Sequence, residues 1–212
     1  MLRISSVHVT IASVQALRGF SLEVAAGSMV SLAGRNGAGK TSLMRTVMGH
    51  LPASSGALSF DGVDLARLPR HARAGLGIGY MPEDRGLVPE LTVEENILVP
   101  VWVSKSLKIK ERLNLVYEIL PELHAIRDRR ALLLSGGQQK MAALARALAV
   151  GTRLLLLDEP FEGLAPALSQ RLSEVVGALR GTNLAVLMSQ SDLNHSRSLV
   201  DREVVIERGA NA

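Results

Sequence analysis

Between an apolar run, MVSLA at 29–33, and a segment carrying Leu43, Met44, Val47 and Met48 at helical spacing lies GRNGAGKT, Gly34 to Thr41. The run satisfies G-x-x-x-x-G-K-[ST] and sits where that pattern needs to sit, after a strand and at the start of a helix. Gly34, Gly37 and Gly39 let the backbone curl so that successive amides point at phosphate oxygens, helped by the positive end of the helix dipole. The stretch Gly34, Arg35, Asn36, Gly37, Ala38, Gly39, Lys40, Thr41 and Ser42 is therefore a candidate phosphate cradle. Lys40 is placed to bridge the β and γ phosphates and Thr41 to offer its hydroxyl to Mg²⁺. A glycine-rich turn with a solvated lysine is the plainer alternative, and the motif alone says nucleotide rather than function.

A second feature answers the first. LLLLDEP, Leu154 to Pro160, drives four leucines into two adjacent carboxylates, which lose solvation if buried without a partner. A phosphate cradle followed at a distance by an apolar strand ending in an acid is the pairing that holds Mg²⁺ on a nucleoside triphosphate. Asp158 is the candidate metal partner. Alternation along a strand is expected to turn Glu159 away from Asp158, where it can take a proton from an attacking water or hold that water in line.

The rest of the chain sets these features in order. Val7, Val9 and Ile11 alternate, as do Phe20, Leu22 and Val24; ALSF at 57–60 and Ile78 to Met81 read as further strands, with an Asp61-Gly62 turn between them. From about Gly86 to Ala149 helical spacing takes over. Thr92 and Glu95 form a capping box, and Leu113, Val116, Ile119 and Leu120 mark an apolar face. Strand Leu154 to Leu157, a helix bearing Leu168, Leu172, Val175, Val176 and Leu179, strand Leu184 to Met188 and strand Val204 to Ile206 then alternate. Strands separated by helices imply an α/β fold with a mostly parallel sheet and ligands beyond the carboxyl ends of its strands.

Composition narrows the classes further. A chain of 212 residues fits one domain with an insertion. Mean hydropathy is +0.21 with 3% aromatic residues, so aliphatic side chains and alanine must build the core. No apolar run reaches the roughly 18–20 residues of a spanning helix, since ILVPVWV at 97–103 is short and contains a proline. The start, MLRISSVHVT, reads as a strand rather than a secretory signal. No cysteine is present, which excludes disulfides and thiolate metal sites and is compatible with the cytosol. The formal charge is +4. The basic clusters RLPRHAR at 67–73 and RDRR at 127–130 lack interleaved aromatics, so they are expected to be solvated or to face a partner rather than nucleic acid.

LSGGQ at 134–138 precedes an alanine-rich helix. Ser135 can cap it, Gln138 completes the box, and Gly136 and Gly137 leave the first amides bare, a second anion receptor in one chain. GRNGAGKT, LSGGQ and LLLLDEP in that order resemble the ATP-binding subunits of ABC transporters. VQALRGFSLEV, GYMPEDRGLVPELTVEENI and DEPFEGLAP are similar to the smaller ATPase subunit of branched-chain amino acid importers.

The resemblance implies a P-loop NTPase fold of the ABC type, with an amino-terminal antiparallel β-subdomain. The nucleotide-binding core is expected at 1–85 and 146–212, and a helical subdomain carrying the signature at 86–145. It implies ATP and Mg²⁺ as cofactors, and a second ABC ATPase subunit whose γ-phosphate site is completed in trans by Ser135, Gly136, Gly137 and Gln138. It implies a membrane permease docking near Glu83 to Val103, and indirectly a solute-binding protein. The location implied is peripheral, on the cytoplasmic face of the plasma membrane. In that subfamily Glu83 takes the metal-sensing position and Gln190 the switch position, where Gln190 can donate to the γ-phosphate or position water but exchanges no proton near neutral pH. His195, shortly beyond, is the less well placed alternative and is expected at the surface.

Two departures stand out. Ile11 occupies the position where the family stacks a tyrosine on adenine, and the chain stops at ERGANA soon after the strand VVIE, an arrangement expected to weaken that edge. Two other classes remain compatible with parts of the sequence: a hydrolysis-poor ATP-gated clamp in a heterodimer, and an ABC-type ATPase working on nucleic acid.

Overall fold

Two sheets share the chain in a computed structural model, which describes residues 1–104, 106–191 and 198–212. In the first, β1 (Leu2–Ile11) pairs antiparallel with β2 (Val14–Val24) and with β4 (Ser55–Phe60), which pairs with the short β5 (Val63–Asp64), giving the order β2-β1-β4-β5. Phe20, Leu22 and Val24 alternate inward as expected, and Val7 and Val9 do so on β1, but Ile11, expected to continue that run, is exposed. Register shifts on β1, one of them between Ile4 and Val7, break the period, so Leu2 and Ile4 are buried as a separate pair. Asp61 and Gly62, both at positive φ, turn the chain between β4 and β5.

The second sheet has the order β10-β9-β3-β8-β7-β6. Its members β3 (Met29–Ala33), β6 (Ile78–Met81), β7 (Leu154–Asp158), β8 (Ala185–Gln190) and β9 (Arg202–Glu207) run parallel. β10 (Ala210–Asn211) returns antiparallel along β9. The four leucines of β7 are consecutive because the strand is central and covered on both faces. Leu154 and Leu156 enter a core shared with Val30, Leu32, Leu43, Met44 and the antiparallel sheet. Leu155 and Leu157 enter the other, with Val186, Met188 and the helical segment.

Helix α1 (Lys40–Val47) follows the glycine loop and buries Leu43, Met44 and Val47. Between β6 and β7 come α3 (Val93–Trp102), α4 (Ile109–Ile119), the single turn α5 (Pro121–His124) and α6 (Gly136–Val150). Helix α6 packs on α3 and α4 and also on β6 and β7, so the helical segment is continuous with the sheet. Both capping boxes form: Thr92 with Glu95 at the start of α3, and Ser135 with Gln138 at the start of α6. The fully buried Asn96 staples the preceding loop to α3, accepting from Val88 N and donating to the carbonyls of Val88, Leu91 and Thr92. Helix α7 (Pro166–Ala178) covers the sheet from the same side, burying Leu172, Val175 and Val176.

One basic cluster is corrected here. RLPRHAR runs into the helix α2 (Arg70–Gly75), whose residues carry no apolar period. Its Arg73, expected to be solvated or to face a partner, is instead buried and donates to the carbonyls of Thr46 and Val47, which end α1, and to Leu65 O. A guanidinium can be buried this way because orphan helix carbonyls meet its fork. Arg127 to Arg130 are exposed, as expected.

At the carboxyl edge, Asn211 exchanges two 2.8 Å hydrogen bonds with the backbone of Ser21, and Arg18 N donates to Gly209 O at 2.7 Å. These contacts tie β10 to β2 and join the two sheets.

Candidate functional site

The glycine loop joins β3 to α1 at the carboxyl end of the parallel sheet. Gly39 adopts φ +112, and a Cβ there would lie 2.7 Å from Ala16 O; a Cβ on Gly34 would lie 2.4 Å from Ile206 O. Only glycine fits either position. No side chain caps α1 at Gly39, so the amides of its first turn remain available to an anion. The loop folds over Lys40, whose ammonium donates to Gly34 O at 2.6 Å and Arg35 O at 3.1 Å.

Asp158 lies on the face of β7 turned toward α1, in line with Leu154 and Leu156, and is fully buried. Its Oδ1 accepts from Thr41 Oγ1 at 3.2 Å and from Ser189 Oγ at 2.6 Å, and Tyr80 Oη approaches Oδ2 at 3.5 Å. Thr41 Oγ1 also lies 3.3 Å from Glu83 Oε2. Burial raises the Asp158 carboxyl above its ordinary range, with the charges of Glu83 and Glu159 adding to this and the hydrogen bonds from Ser189 and Thr41 opposing it. Burial likewise raises Tyr80, with the Asp158 charge second.

Glu159 does not continue the strand. Its φ of +46 places it in the left-handed region, a conformation that costs a non-glycine residue about 1–3 kcal/mol. This turn, rather than strand alternation, aims its side chain. The carboxylate, almost buried, meets Lys40 Nζ at 3.0 Å and accepts from Ser191 Oγ at 2.5 Å and Ser191 N at 3.2 Å. Ser191 Oγ also lies 2.7 Å from Asn36 Oδ1 and accepts from Lys40 at 3.1 Å. The two acids thus address neighbouring groups of one loop: Asp158 reaches Thr41, and Glu159 reaches Lys40.

Gln190 ends β8, buried, in register with Ala33, and its carbonyl accepts from Gly34 N at 3.1 Å. It therefore stands beside the first residue of the loop. His195 lies outside the described residues.

A cleft of about 660 Å³ brings together Asn36, Gly37, Gly39, Lys40, Thr41, Ser42, Glu83 and Glu159, and extends to Val14, Gln15, Ala16, Arg18 and Arg208. Gly34, Arg35 and Ala38 line the outer side of the loop instead. No ring side chain lines the cleft among the described residues; Ile11 is exposed at the end of β1. None of Ser135, Gly136, Gly137 and Gln138 lines it either. Ser135 Oγ accepts from Gln138 N at 3.3 Å while Gln138 Oε1 accepts from Ser135 N at 3.0 Å. Thr41, Glu83 and Asp158 form an all-oxygen set that suits a hard cation such as Mg²⁺, which takes one or two carboxylates and completes its shell with phosphate and water. Among the described residues no group of three or more histidines and carboxylates converges to hold an ion alone.

Sequence patterns missed three side chains at this site. Ser189 and Ser191 flank Gln190 at the end of an oily strand; two hydroxyls at the carboxyl edge of a parallel sheet are the signal that could have found them. Tyr80 on β6 had no such signal.

The ABC transporter family profile matches residues 17–162. This chain belongs to the ABC transporter family. As an ABC-type ATPase subunit it is 36% identical over 209 residues to the high-affinity branched-chain amino acid transport ATP-binding protein BraG of Pseudomonas aeruginosa, covering 99% of this chain and 90% of that one. It is 34% identical over 191 residues to the lipopolysaccharide export system ATP-binding protein LptB of Escherichia coli, covering 89% and 79%. Among solved structures, the ADP conformation of the ATP-binding cassette MJ1267 superposes with TM-score 0.82 at 27% identity, covering 100% of this chain and 89% of that one. A dimeric post-hydrolysis state of the cassette MJ0796, bound to ADP and Pi, superposes with TM-score 0.90 at 22% identity, covering 100% and 96%.

Proposed function

We propose that this ABC ATPase subunit hydrolyses Mg-ATP to drive a membrane permease that imports branched-chain or other small amino acids. The observation that carries the hydrolytic part is the convergence of Lys40, Thr41, Asp158 and Glu159 at one end of the parallel sheet. The loop amides and Lys40 hold the β and γ phosphates. Thr41, Asp158 and Glu83 would hold Mg²⁺, which supplies neutralisation of the phosphate charge. Glu159 accepts the proton of the attacking water or keeps that water in line, and Gln190, beside the loop, donates toward the γ-phosphate. Lys40 now pairs with Glu159; a triphosphate taking over the ammonium would release the carboxylate for that work.

Because the signature residues line none of their own chain's cleft, they are free to complete the site of a second cassette in trans. ATP would then close a head-to-tail dimer and hydrolysis reopen it. A groove of about 740 Å³ between sheet and helical segment, lined by Tyr80, Glu83, Asp84, Val99, Pro100 and Arg146, is the proposed seat of the permease. It shares Glu83 with the nucleotide cleft, so occupancy of one can be felt in the other. Among the described residues no helix is long and apolar enough to cross a membrane, and we place the subunit on the cytoplasmic face, held there through the permease.

The amino acid cargo rests on the likeness to BraG along nearly the whole chain and on the Glu83 and Gln190 pair. The likeness to LptB bears on the same kind of motor with another cargo. Glu159→Gln is expected to lower turnover at least ~100-fold while keeping Mg-ATP affinity and stabilising an ATP-held dimer. Turnover is read by phosphate release and the dimer by gel filtration; unchanged values for both contradict hydrolysis through Glu159. Co-purification with a permease that takes up leucine supports the cargo, and one that binds only lipid-linked saccharide assigns export instead.

A further inference from the structure

The left-handed backbone of Glu159 is gripped at both of its polar groups by side chains from other elements. Its N–H donates to Ser189 Oγ at 2.9 Å, and its carbonyl accepts from Lys140 Nζ at 2.8 Å. Lys140 stands one turn into α6, two residues beyond the signature, and is 5% exposed. The same ammonium donates to Glu162 O at 2.5 Å, so it spans the turn that leaves β7. The Glu159 carbonyl also accepts from Glu162 N at 3.3 Å, a weaker tie within that turn. Burial lowers the Lys140 pKa below the ordinary lysine range, with the charge of Arg85 in the same sense and those of Glu162, Glu159 and Glu83 opposing. A buried ammonium whose hydrogen bonds go to two carbonyls of one turn is an expensive way to fill space, and a strained backbone persists only where its surroundings over-determine it.

We propose that Lys140 is a positioning residue for hydrolysis: from the signature helix it fixes the strained backbone of Glu159 and thereby aims the carboxylate. The inference rests on the assignment of Glu159 made above. The aim of Glu159 then depends on where α6 sits, so a shift of the signature helix is transmitted to the acid at the end of β7. Lys140 does not itself line the nucleotide cleft, and its ammonium bonds only the carbonyls of Glu159 and Glu162 rather than Thr41 or Asp158, which separates it from nucleotide binding.

The test is a double-mutant cycle on the full chain, using steady-state hydrolysis of saturating Mg-ATP, with affinity measured by titration and folding by thermal melts. Lys140→Met, which keeps the apolar stem, is expected to lower kcat at least ~20-fold with ATP affinity within about 3-fold, the signature of an interaction expressed only in the reaction. In a Glu159→Gln background the same substitution should add no further loss, because the two act as a unit. Lys140→Arg, which keeps the donors, should retain most of the turnover and serves as the folded comparison if Lys140→Met melts early. Unchanged kcat in Lys140→Met, equal loss in Lys140→Met and Lys140→Arg, or the same fold-loss in the Glu159→Gln background each overturns the inference. Full turnover in Glu159→Gln alone overturns the assignment of Glu159 and this inference with it; an inactive Glu159→Gln beside a fully active Lys140→Met overturns this inference alone.

Discussion

Adjacent acids take different environments within one turn. Asp158 is sequestered on the last residue of β7 with three hydroxyls around it, and Glu159 is swung by a positive φ onto Lys40. Both carboxylates were legible in LLLLDEP, because a strand ending in acids after a phosphate loop is a local pattern. Their holders were not: Ser189 and Lys140 come from separate elements, and no spacing rule connects residues that far apart. Burial of Asp158 carries a linkage consequence. Its folded-state pKa is raised, so the folded protein binds more protons than the unfolded chain just above the ordinary carboxylate range, and metal-free stability is lost as pH rises through the folded pKa. Denaturant titrations in chelator at several pH values should show that fall, and Asp158→Asn should flatten it while abolishing Mg-dependent turnover. An unaltered slope in the variant assigns the titration to another group.

Elements assembled by short-range rules follow the sequence closely: the glycine loop with α1, and the two capping boxes that open α3 and α6. Helix α2 was invisible because RHARAG has no apolar stripe; it is held by Arg73 reaching the end of α1, a tertiary bond that propensity does not encode. All of the ILVPVWV segment but its last residue became the second half of α3 despite Pro100, since Ile97, Leu98 and Val101 are buried against α6 and α4. At the start of α6, Ser135 serves a local structural end whatever else it does. Ser135→Ala removes the side-chain cap, which is expected to cost about 1 kcal/mol and to lower the melting temperature by ~2–4 °C. If the hydroxyl also serves a nucleotide on the opposing subunit, turnover should drop further than a matched destabilisation such as Thr92→Ala, at the α3 cap. Equal loss in both variants restricts Ser135 to capping.

At the scale of the molecule, one mostly parallel sheet divides two cores and places the acids and hydroxyls of the site at its carboxyl edge. The parallel α/β class was legible from alternating strands and helices. The way β10 ties the two sheets through Asn211 and Ser21 was not, because it rests on an asparagine with no local signal. The proposed completion of the site in trans predicts cooperation between chains. Turnover per subunit should rise with protein concentration and level off as dimers fill, followed in parallel by ATPase assay and sedimentation; a flat profile in which only monomer sediments contradicts completion in trans. The central claim is nearer the residues: a triphosphate is held by the loop that folds around Lys40. Calorimetric titration of Mg-ATP into the folded chain and into Lys40→Ala tests it most directly. Loss of at least ~100-fold in affinity, about 2.7 kcal/mol, with the variant still folded, is the predicted result; equal heats and equal affinity in the two proteins would contradict it.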